Sequence, residues 1–391
     1  MITHKALSLL TAVSILLFTA CAQPAKNAKT APSSETSVPE PPPTLTVTGE
    51  MELSYAKMFS VRHCDGGYEL INIGDDSYLL VPENADTPPD SSEYTVIRQP
   101  LDNIYLAASS AMDLFIAIDG LGSIGMTSTE VDDWSLPKVV NAIADEDICY
   151  VGKYSAPDYE FLTSERCPLA IESTMIYHTP EVREQLEALG IPVMVERSSY
   201  ETHPLGRMEW IKLYGLLTGK YAAAEQFFNE KAEIFNSMEL TDLPQEERQT
   251  AAFFYVSPNG YVNIRKPGDY ISQMIELAGG KYLFTAADLE VSENALSTMN
   301  IQLEVFYEKA KDADVLIYNS TTTGELETLD ELKALSPVFA EMKAVKNGNV
   351  WCTNKNMFQQ TTCAAEMTKD LNLIFTGKTE ETTPTYLHKL K

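Results

Sequence analysis

The stretch LGRMEWIKLYGLLTGKYAAAEQFFNEKAEIFNSM, residues 205–238, decides the fold that we expect for this chain. It consists almost entirely of helix-forming residues, and its apolar side chains recur at helical spacing, at Trp210, Leu213, Leu217, Ala224, Phe227, Phe228 and Phe235. Gly215 and Gly219 are expected to split the stretch in two, because glycine weakens the interior of a helix. The second piece, residues 221–238, would be about 27 Å long at 1.5 Å per residue, roughly the diameter of a small domain.

Short strands alternate with helices on both sides of this helical stretch. The expected strands are residues 96–97, 104–106, 148–151, 169–171 and 192–195 before it, and 251–256, 315–318 and 350–352 after it. The expected helices are residues 110–118 (capped by Ser110, with Asp113 in the first turn), 157–164 and 180–189, then 270–278, 302–311, 325–335 and 361–375. Such alternation predicts parallel strands flanked by helices. The predicted fold class is therefore α/β: two lobes, each with a parallel-rich central sheet flanked by helices, joined by a single long helix.

The N-terminal residues predict where the protein works. A basic start is followed by an apolar run, residues 6–18, that is too short to span a bilayer and resembles a secretory signal. The small residues before Cys21 resemble a lipoprotein cleavage box, although an ordinary signal peptide with a chance cysteine is the alternative. We expect lipidated Cys21 to anchor the protein to the cell membrane, outside the cytoplasm. The predicted organisation is a signal peptide (1–21), a flexible tether (22–50), an N-terminal α/β lobe (51–203) with a hairpin at 68–82, a helical linker (204–240) and a C-terminal α/β lobe (241–391).

Composition excludes several kinds of partner. The 391 residues suggest about two domains. A net charge of −27 argues against nucleic acid and against adsorption on anionic lipid. The remaining cysteines are Cys64, Cys149, Cys167, Cys352 and Cys363. They show no C-x-x-C spacing, so buried free thiols are expected, but their redox state stays open.

Four stretches, taken in order, resemble one known family: residues 152–160, 186–196, 204–220 and 344–360. The chain resembles the substrate-binding proteins of ABC importers for iron–siderophore, haem and cobalamin, in which a rigid helix joins two α/β lobes. The resemblance covers about residues 94–377. The chain departs from it in a longer extension, residues 55–93, and in Pro168-Leu169 where proline–aspartate is usual.

This resemblance implies a function and its partners. We expect an extracytoplasmic, monomeric protein that binds a corrinoid, haem or ferric siderophore as cargo and delivers it to an ABC permease with its ATPase. In the family, one glutamate on each lobe meets arginines of the permease. Glu160 matches the first by position and Glu304 the second, with Glu308 as its substitute. Exposed carboxylates of this kind steer docking more than they add affinity.

Ligand-binding residues are expected in the loops that follow the carboxyl ends of the strands. Those loops are residues 108–110, 153–155, 173–178, 257–261, 319–323 and 354–360. The candidates they contain are Lys153, Tyr154, Tyr177, Tyr261, Asn319, Lys355, Phe358 and Gln359. The four aromatic side chains could stack on a flat ligand, and the two lysines could meet its carboxylates. His178 and His203, with Met175 or Met357, are weaker candidates for binding haem iron. Arg207 and Glu209 are expected to set the geometry between lobe and helix rather than touch the ligand.

The remaining motifs do not predict catalysis. Residues 120–125 match G-x-G-x-x-G, but a dinucleotide site needs those glycines between a strand and a helix, and here they follow a predicted helix. The sequence contains no G-x-S-x-G elbow, H-E-x-x-H pair or phosphate loop. We therefore expect no catalytic residues, no cofactor and no metal site. The alternatives are an extracytoplasmic hydrolase or a ligand sensor on the same scaffold.

Overall fold

The computed structural model describes residues 45–238, 243–292, 297–355 and 357–391. The predicted signal peptide, Cys21 and most of the predicted tether lie outside these residues. The described part contains two α/β lobes with parallel-rich sheets, as predicted, and three consecutive helices rather than a single one lie between them. None of its helices combines the length and apolar character needed to cross a membrane.

A five-stranded sheet precedes the first lobe. Its strands are β1 (Val47–Glu50), β2 (Phe59–Cys64), β3 (Glu69–Ile73), β4 (Asp76–Val81) and β5 (Thr95–Arg98), hydrogen-bonded in that order. β3 and β4 form the predicted hairpin. The pair β4–β5 is parallel and the other pairs are antiparallel. Residues 96–97 were expected in the parallel sheet of the lobe, but they belong to β5 of this sheet. Its hairpin was predicted from the sequence, and strands β1 and β2 were not.

The first lobe is built on a parallel sheet of order β12-β11-β6-β7-β8. Its elements in chain order are β6 (Ile104–Leu106), α1 (Met112–Ala117), β7 (Ile124–Thr127), α2 (Pro137–Ala144), β8 (Cys149–Tyr150), the small ribbon β9 (Gly152–Lys153) and β10 (Ala156–Pro157), α3 (Tyr159–Ser164), β11 (Ala170–Ser173), α4 (Pro180–Ala188) and β12 (Val193–Glu196). The glycines of residues 120–125 follow helix α1 and lead into strand β7, the reverse of a dinucleotide-binding turn.

Three helices connect the lobes: α5 (Pro204–Glu209), α6 (Ile211–Leu217) and α7 (Tyr221–Asn236). Gly219, at φ +70°, lies in the turn between α6 and α7, as predicted. Gly215 does not break the helix but lies inside α6, where a Cβ would come within 2.6 Å of the Ala224 Cβ. It therefore lets α6 and α7 pack closely. The 16 residues of α7 extend about 24 Å, and the helix packs both against α6 and against a helix of the second lobe.

The second lobe has a mixed sheet of order β16-β14-β13-β17-β18-β19, with β15 beside the start of β13. Its elements are β13 (Thr250–Val256), β14 (Val262–Arg265), α8 (Tyr270–Leu277), β15 (Lys281–Tyr282), α9 (Ala286–Leu289), β16 (Thr298–Ile301), α10 (Leu303–Ala310), β17 (Val315–Tyr318), α11 (Leu329–Leu335), α12 (Lys343–Lys346), β18 (Val350–Thr353), α13 (Ala364–Thr376) and β19 (Leu387–Lys389). The strands β13, β17 and β18 are parallel, and antiparallel strands lie outside them.

The lobes have separate hydrophobic cores. The core of the second lobe draws its buried residues from positions 251–390. The main core of the first lobe includes buried residues of the five-stranded sheet and of α5, α6 and α7, together with Ala365 of α13. The linker helices therefore pack as part of the first lobe. The predicted boundary at 240 falls among residues 239–242, outside the described residues, and the domain limits stay predictions.

Candidate ligand site between the lobes

The loops that follow strands β6, β7 and β18 meet where the two lobes face each other. The Thr361 hydroxyl donates to the carbonyl oxygen of Ser110 at 2.7 Å, and the Thr362 amide donates to the Asp113 carboxylate at 2.9 Å. The carboxyl ends of parallel strands lie at one edge of a sheet, and ligands of α/β proteins bind at that edge. These two bonds therefore connect the corresponding edges of the two lobes.

The Gln359 side chain makes a second connection between the lobes. Its Oε1 accepts from the Ser135 amide at 2.6 Å, and its Nε2 donates to the Asp133 carbonyl at 2.7 Å. Gln359 is one of the predicted ligand-binding residues. In this conformation both the oxygen and the nitrogen of its side-chain amide are used to join the lobes.

Asp113, expected in the first turn of a helix capped by Ser110, binds a residue of the other lobe instead. Helix α1 begins with no side-chain cap from Ser110. The Asp113 carboxylate instead accepts both the amide and the hydroxyl of Thr362, across the seam. Burial raises the pKa of Asp113, and the bonds from Thr362 act in the opposite direction. Asp113 thus belongs to the contact between the lobes.

A narrow crevice, with a volume of about 20 Å³ open to a water-sized molecule, lies beside these contacts. Its wall comes from the end of the linker helix α5, the first part of α8, the loop after β18 and the start of α13. The residues that line it are Arg207, Tyr270, Ile271, Met274, Met357, Phe358, Gln360, Thr361, Cys363, Ala364 and Met367. Apolar and sulfur-containing side chains therefore surround one cationic side chain, a composition typical of small-molecule sites.

The predicted ligand-binding residues divide into two groups. Phe358 and Gln359 lie at the crevice or the seam. The other six do not line the crevice: Lys153 and Lys355 are exposed, Tyr154 packs against the core under α3 and α4, Tyr177 and Tyr261 are 47% and 41% exposed, and Asn319 is buried. The Asn319 side chain accepts from the Thr321 amide, within its own turn.

His203 serves the fold rather than a metal. Its Nδ1 accepts from the Leu205 amide at 3.1 Å and caps α5, and its ring stacks on Tyr55 at 4.5 Å. Burial lowers the pKa of His203 to about 4. His178 is exposed. Of the two methionines considered with them, Met357 lines the crevice and Met175 is 48% exposed. His203 thus has a structural role, and binding of haem iron by His178, Met175 or Met357 stays a prediction.

The two predicted permease contacts lie on the surface. Glu160 is exposed in the first turn of α3, and Glu304 is exposed in the first turn of α10. Glu304 borders a shallow groove that also contains Val305, which is 55% exposed, and Glu308. Their exposure is what docking requires, and their role stays a prediction.

Glu209 and Arg207 were both expected to set the geometry between lobe and helix, but the structure places them in different surroundings. The fully buried Glu209 carboxylate accepts from the amides of residues 54–56 at 2.7–2.9 Å and pairs with Lys212 at 2.8 Å. Its contacts fit the predicted structural role. Arg207 lines the crevice instead. Nothing in the sequence distinguishes it, because the crevice forms only when α8 and α13 pack beside α5.

The described residues include one group with metal-ligand chemistry. Single ligand atoms of Glu325, Glu327 and His388 lie within 4.8 Å of one another. The two glutamates are exposed, and the His388 Nε2 lies 2.8 Å from the Leu326 carbonyl oxygen. Exposed carboxylates are common without a metal, so no metal is assigned here. The five described cysteines are free thiols in the structure.

Comparison with known proteins gives a family and a fold. The model of a family described as periplasmic binding protein matches residues 110–356. An uncharacterized lipoprotein of Methanocaldococcus jannaschii is 26% identical over 332 residues, which cover 78% of this chain and 77% of the relative. A second uncharacterized lipoprotein of that organism is 24% identical over 363 residues, covering 90% and 89%.

Two solved structures have the same fold at low sequence identity. The periplasmic haem-binding protein HutB of Vibrio cholerae is 16% identical, covers 69% of this chain and 98% of its own, and has a TM-score of 0.54. A periplasmic binding protein of Veillonella parvula is 12% identical, covers 82% and 98%, and has a TM-score of 0.56. The family match extends over more than half of the sequence and includes both lobes and the linker. This chain therefore belongs to the periplasmic binding protein family, whose members are substrate-binding proteins of transport systems.

Proposed function

We propose that this protein is an extracytoplasmic, lipid-anchored substrate-binding protein that captures an iron chelate, haem or corrinoid between its lobes and delivers it to an ABC permease. The observation that carries the proposal is the meeting of the loops after β6, β7 and β18 beside the crevice, in a member of the periplasmic binding protein family. Loops at the carboxyl ends of parallel strands are where α/β proteins bind ligands.

The lining of the crevice supports contact with an apolar part of the cargo. Met274, Met357 and Met367 contribute flexible, polarizable side chains, and Phe358 contributes a ring. Corrinoids, haem and ferric hydroxamates remain the candidate cargoes. HutB, one of the structural relatives, is named for binding haem. That name supports testing haem beside the corrinoids.

A thermal-unfolding screen tests the proposed cargo. Hydroxocobalamin, haemin and ferrichrome are each added to the full chain, and the unfolding midpoint is measured. A ligand at 100 times its dissociation constant should stabilise the protein by about 2.7 kcal/mol. Phe358→Ala, which removes a crevice ring, should weaken the stabilisation, and Phe161→Ala, outside the crevice, is the matched control. No midpoint shift with any of the three would remove these cargo classes.

Recovery of the ligand separates transport from catalysis. The protein is incubated with the ligand that stabilises it, then denatured, and the released compound is analysed by mass spectrometry. Return of the unchanged compound supports binding for transport. A hydrolysed product would favour the alternative, an extracytoplasmic hydrolase.

Delivery to a permease is supported by the position of two carboxylates. Glu160 and Glu304 are exposed in the first turns of helices on different lobes. Carboxylates placed in this way can contact guanidinium groups of one partner and set its orientation. The lipid anchor is supported by the sequence before Cys21 and by the names of the two archaeal relatives, both called lipoproteins. Loss of membrane retention in Cys21→Ser would test the anchor.

A further inference from the structure

A groove on the surface of the second lobe lies between helices α9 and α10 and the end of strand β16. A volume of about 500 Å³ in it is open to a water-sized molecule. That volume is within the range of about 300–1,000 Å³ that is typical of ligand pockets. No described residue lines both this groove and the crevice between the lobes. The groove is therefore a separate surface feature, outside the candidate ligand site.

The floor of the groove is apolar. Phe284, Leu289 and Ile301 line it and are buried, and Val305 lines it with 55% of its surface exposed. No other large apolar side chain that the structure describes is exposed to a greater extent. A single exposed valine is ordinary on a protein surface. Here, however, Val305 adjoins three further apolar side chains in a concave surface, which is typical of a contact site.

The charged side chains around the groove leave one carboxylate without a partner. Lys309 pairs with Asp288 at 2.7 Å, and Lys311 pairs with Glu308 at 2.8 Å. Glu304 is exposed, and its side chain forms no ion pair or hydrogen bond with any residue that the structure describes. The groove therefore presents one available negative charge, next to the exposed valine in the first turn of α10.

A partner that fits both features carries a large apolar side chain beside a cation. The apolar side chain would cover Val305 and the floor, and removal of apolar surface from water supplies affinity. The cation would pair with Glu304, and an exposed pair of this kind adds little affinity but fixes the orientation of the partner. A guanidinium suits the position better than an ammonium group, because it is planar, binds both oxygens of a carboxylate and is weakly hydrated.

We propose that the groove receives a large apolar side chain of the ABC permease, beside an arginine that pairs with Glu304. The inference rests on the proposed function for the identity of the partner. It adds an apolar anchor to a contact that the resemblance describes by charge alone. On the first lobe, Glu160 is followed by Phe161, which packs against the core of that lobe. The anchor should therefore be on the second lobe, so that the two lobes contribute differently to docking.

Stimulation of the transporter tests the anchor. The ABC permease and ATPase that serve this protein are reconstituted in nanodiscs, and ATP hydrolysis is measured at increasing concentrations of the full chain. Val305→Asp places a charge in the groove, and helix α10 should persist, because an acidic residue is favourable in the first turn of a helix. Leu335→Asp, at a 41% exposed position on α11 of the same lobe, is the matched control.

Val305→Asp should raise the concentration needed for half-maximal stimulation at least about tenfold, because burial of one apolar side chain is worth roughly that factor or more. Val305→Ile keeps the apolar surface and should stay within about twofold of wild type. Leu335→Asp should match wild type, and the cargo affinity of all three variants should be unchanged. Half-maximal stimulation by Val305→Asp at the wild-type concentration would overturn the inference.

A pair of matched probes tests the chemistry of the groove in the isolated protein, and it decides the matter if Val305→Asp fails to fold. 4-Phenylbutylguanidine and 4-phenylbutanol share an apolar body, and only the first carries a cation. Each is titrated into the full chain, and the NMR signals of the Leu289, Ile301 and Val305 methyl groups are followed. The guanidine should bind about two- to fivefold more tightly, the factor expected from one exposed ion pair.

Removal of the Glu304 charge should abolish this preference. Glu304→Gln should bring the ratio of the two affinities near one, whereas Glu246→Gln, an exposed change elsewhere on the second lobe, should leave the ratio unchanged. The inference is wrong if the methyl signals move with neither probe, if wild type binds both probes equally, or if Glu304→Gln keeps the wild-type ratio.

The two experiments separate this inference from the proposed function. If wild type does not stimulate the transporter, delivery to that permease is wrong, even where the probes bind in the groove with the expected charge preference. If wild type stimulates the transporter and Val305→Asp does so equally well, the proposed function stands and the apolar anchor is wrong.

Discussion

Replacing Glu172 by glutamine should make the protein more stable at alkaline pH. Glu172 lies on β11 and is fully buried, and neither of its carboxylate oxygens has a hydrogen-bond partner among the described residues. Burial, and after it the Glu172 charge, raises the pKa of Tyr105, whose buried hydroxyl also has no partner there. Two other titratable groups lie near this site. Tyr159 has its pKa raised by burial and by the charges of Glu172 and Glu181, and Cys167 interacts electrostatically with Tyr105.

The size of the effect follows from the pKa of the carboxyl group. Burial raises the pKa of Glu172 from 4.5 to about 8. The folded state therefore holds the proton more tightly than the unfolded state, and stability falls as pH rises from about 4.5 to about 8. A pKa difference of about 3.5 corresponds to at most about 4–5 kcal/mol. Glutamine has nearly the same shape and cannot lose a proton in this range, so the variant should lack this loss.

Urea unfolding between pH 5 and pH 9 measures the difference. Wild type and Glu172→Gln should have similar stability near pH 5, and the variant should be more stable by several kcal/mol above pH 8. Glu184→Gln, an exposed change on the neighbouring helix α4, is the matched control and should follow wild type at every pH. If the difference between Glu172→Gln and wild type does not change with pH, the carboxylate is stabilised in the folded state and the reasoning is refuted.

Three further predictions concern the linker, the seam and the partner. Glu209→Gln should cost about 3 kcal/mol or more in denaturant unfolding, because it breaks a buried ion pair; a cost below about 1 kcal/mol would contradict the role given to this carboxylate. Gln359→Ala should enlarge the ligand-free protein in solution scattering, because both its bonds between the lobes are lost, whereas exposed Gln302→Ala should not; equal scattering curves would show that these bonds do not hold the seam. Glu160→Arg should abolish uptake while ligand affinity stays unchanged, with exposed Glu165→Arg as the control, and normal uptake would exclude Glu160 as a docking residue.

The fold could be predicted because its main signal is local. Runs such as residues 251–256 and 350–352 are apolar enough to be read as buried strands, and they appear as β13 and β18. Strand β7 was missed because its four residues follow a glycine-rich turn and are too few to show a period. The five-stranded sheet was missed because only its hairpin has a recognisable turn, and the pairing of β4 with β5 depends on contacts between distant residues.

The candidate site could be predicted only in part, for a related reason. Phe358 and Gln359 were selected by the general rule that ligands bind after the carboxyl ends of parallel strands. The structure places Phe358 on the crevice and Gln359 at the seam, and their role in binding stays a prediction. The same rule selected Lys153 and Tyr261, which do not line the crevice, because it does not say which loops face the other lobe. Arg207 was not predicted to line the crevice, because the crevice forms only in the packed protein: Tyr270, which lies under Arg207, comes from a helix 63 residues further along the chain.

The placement of the linker helices in the core of the first lobe determines where the protein can bend. Helices α5, α6 and α7 share buried contacts with the five-stranded sheet, and the Glu209 and Glu201 carboxylates bind the amides of residues 54–58. The second lobe meets this unit along α7 and α13, where Lys231 pairs with Glu366. An opening movement that leaves both cores intact would therefore have to change the contacts of α13 with α7 and α5, and Arg207 would stay with the first lobe while Met357 and Phe358 stay with the second.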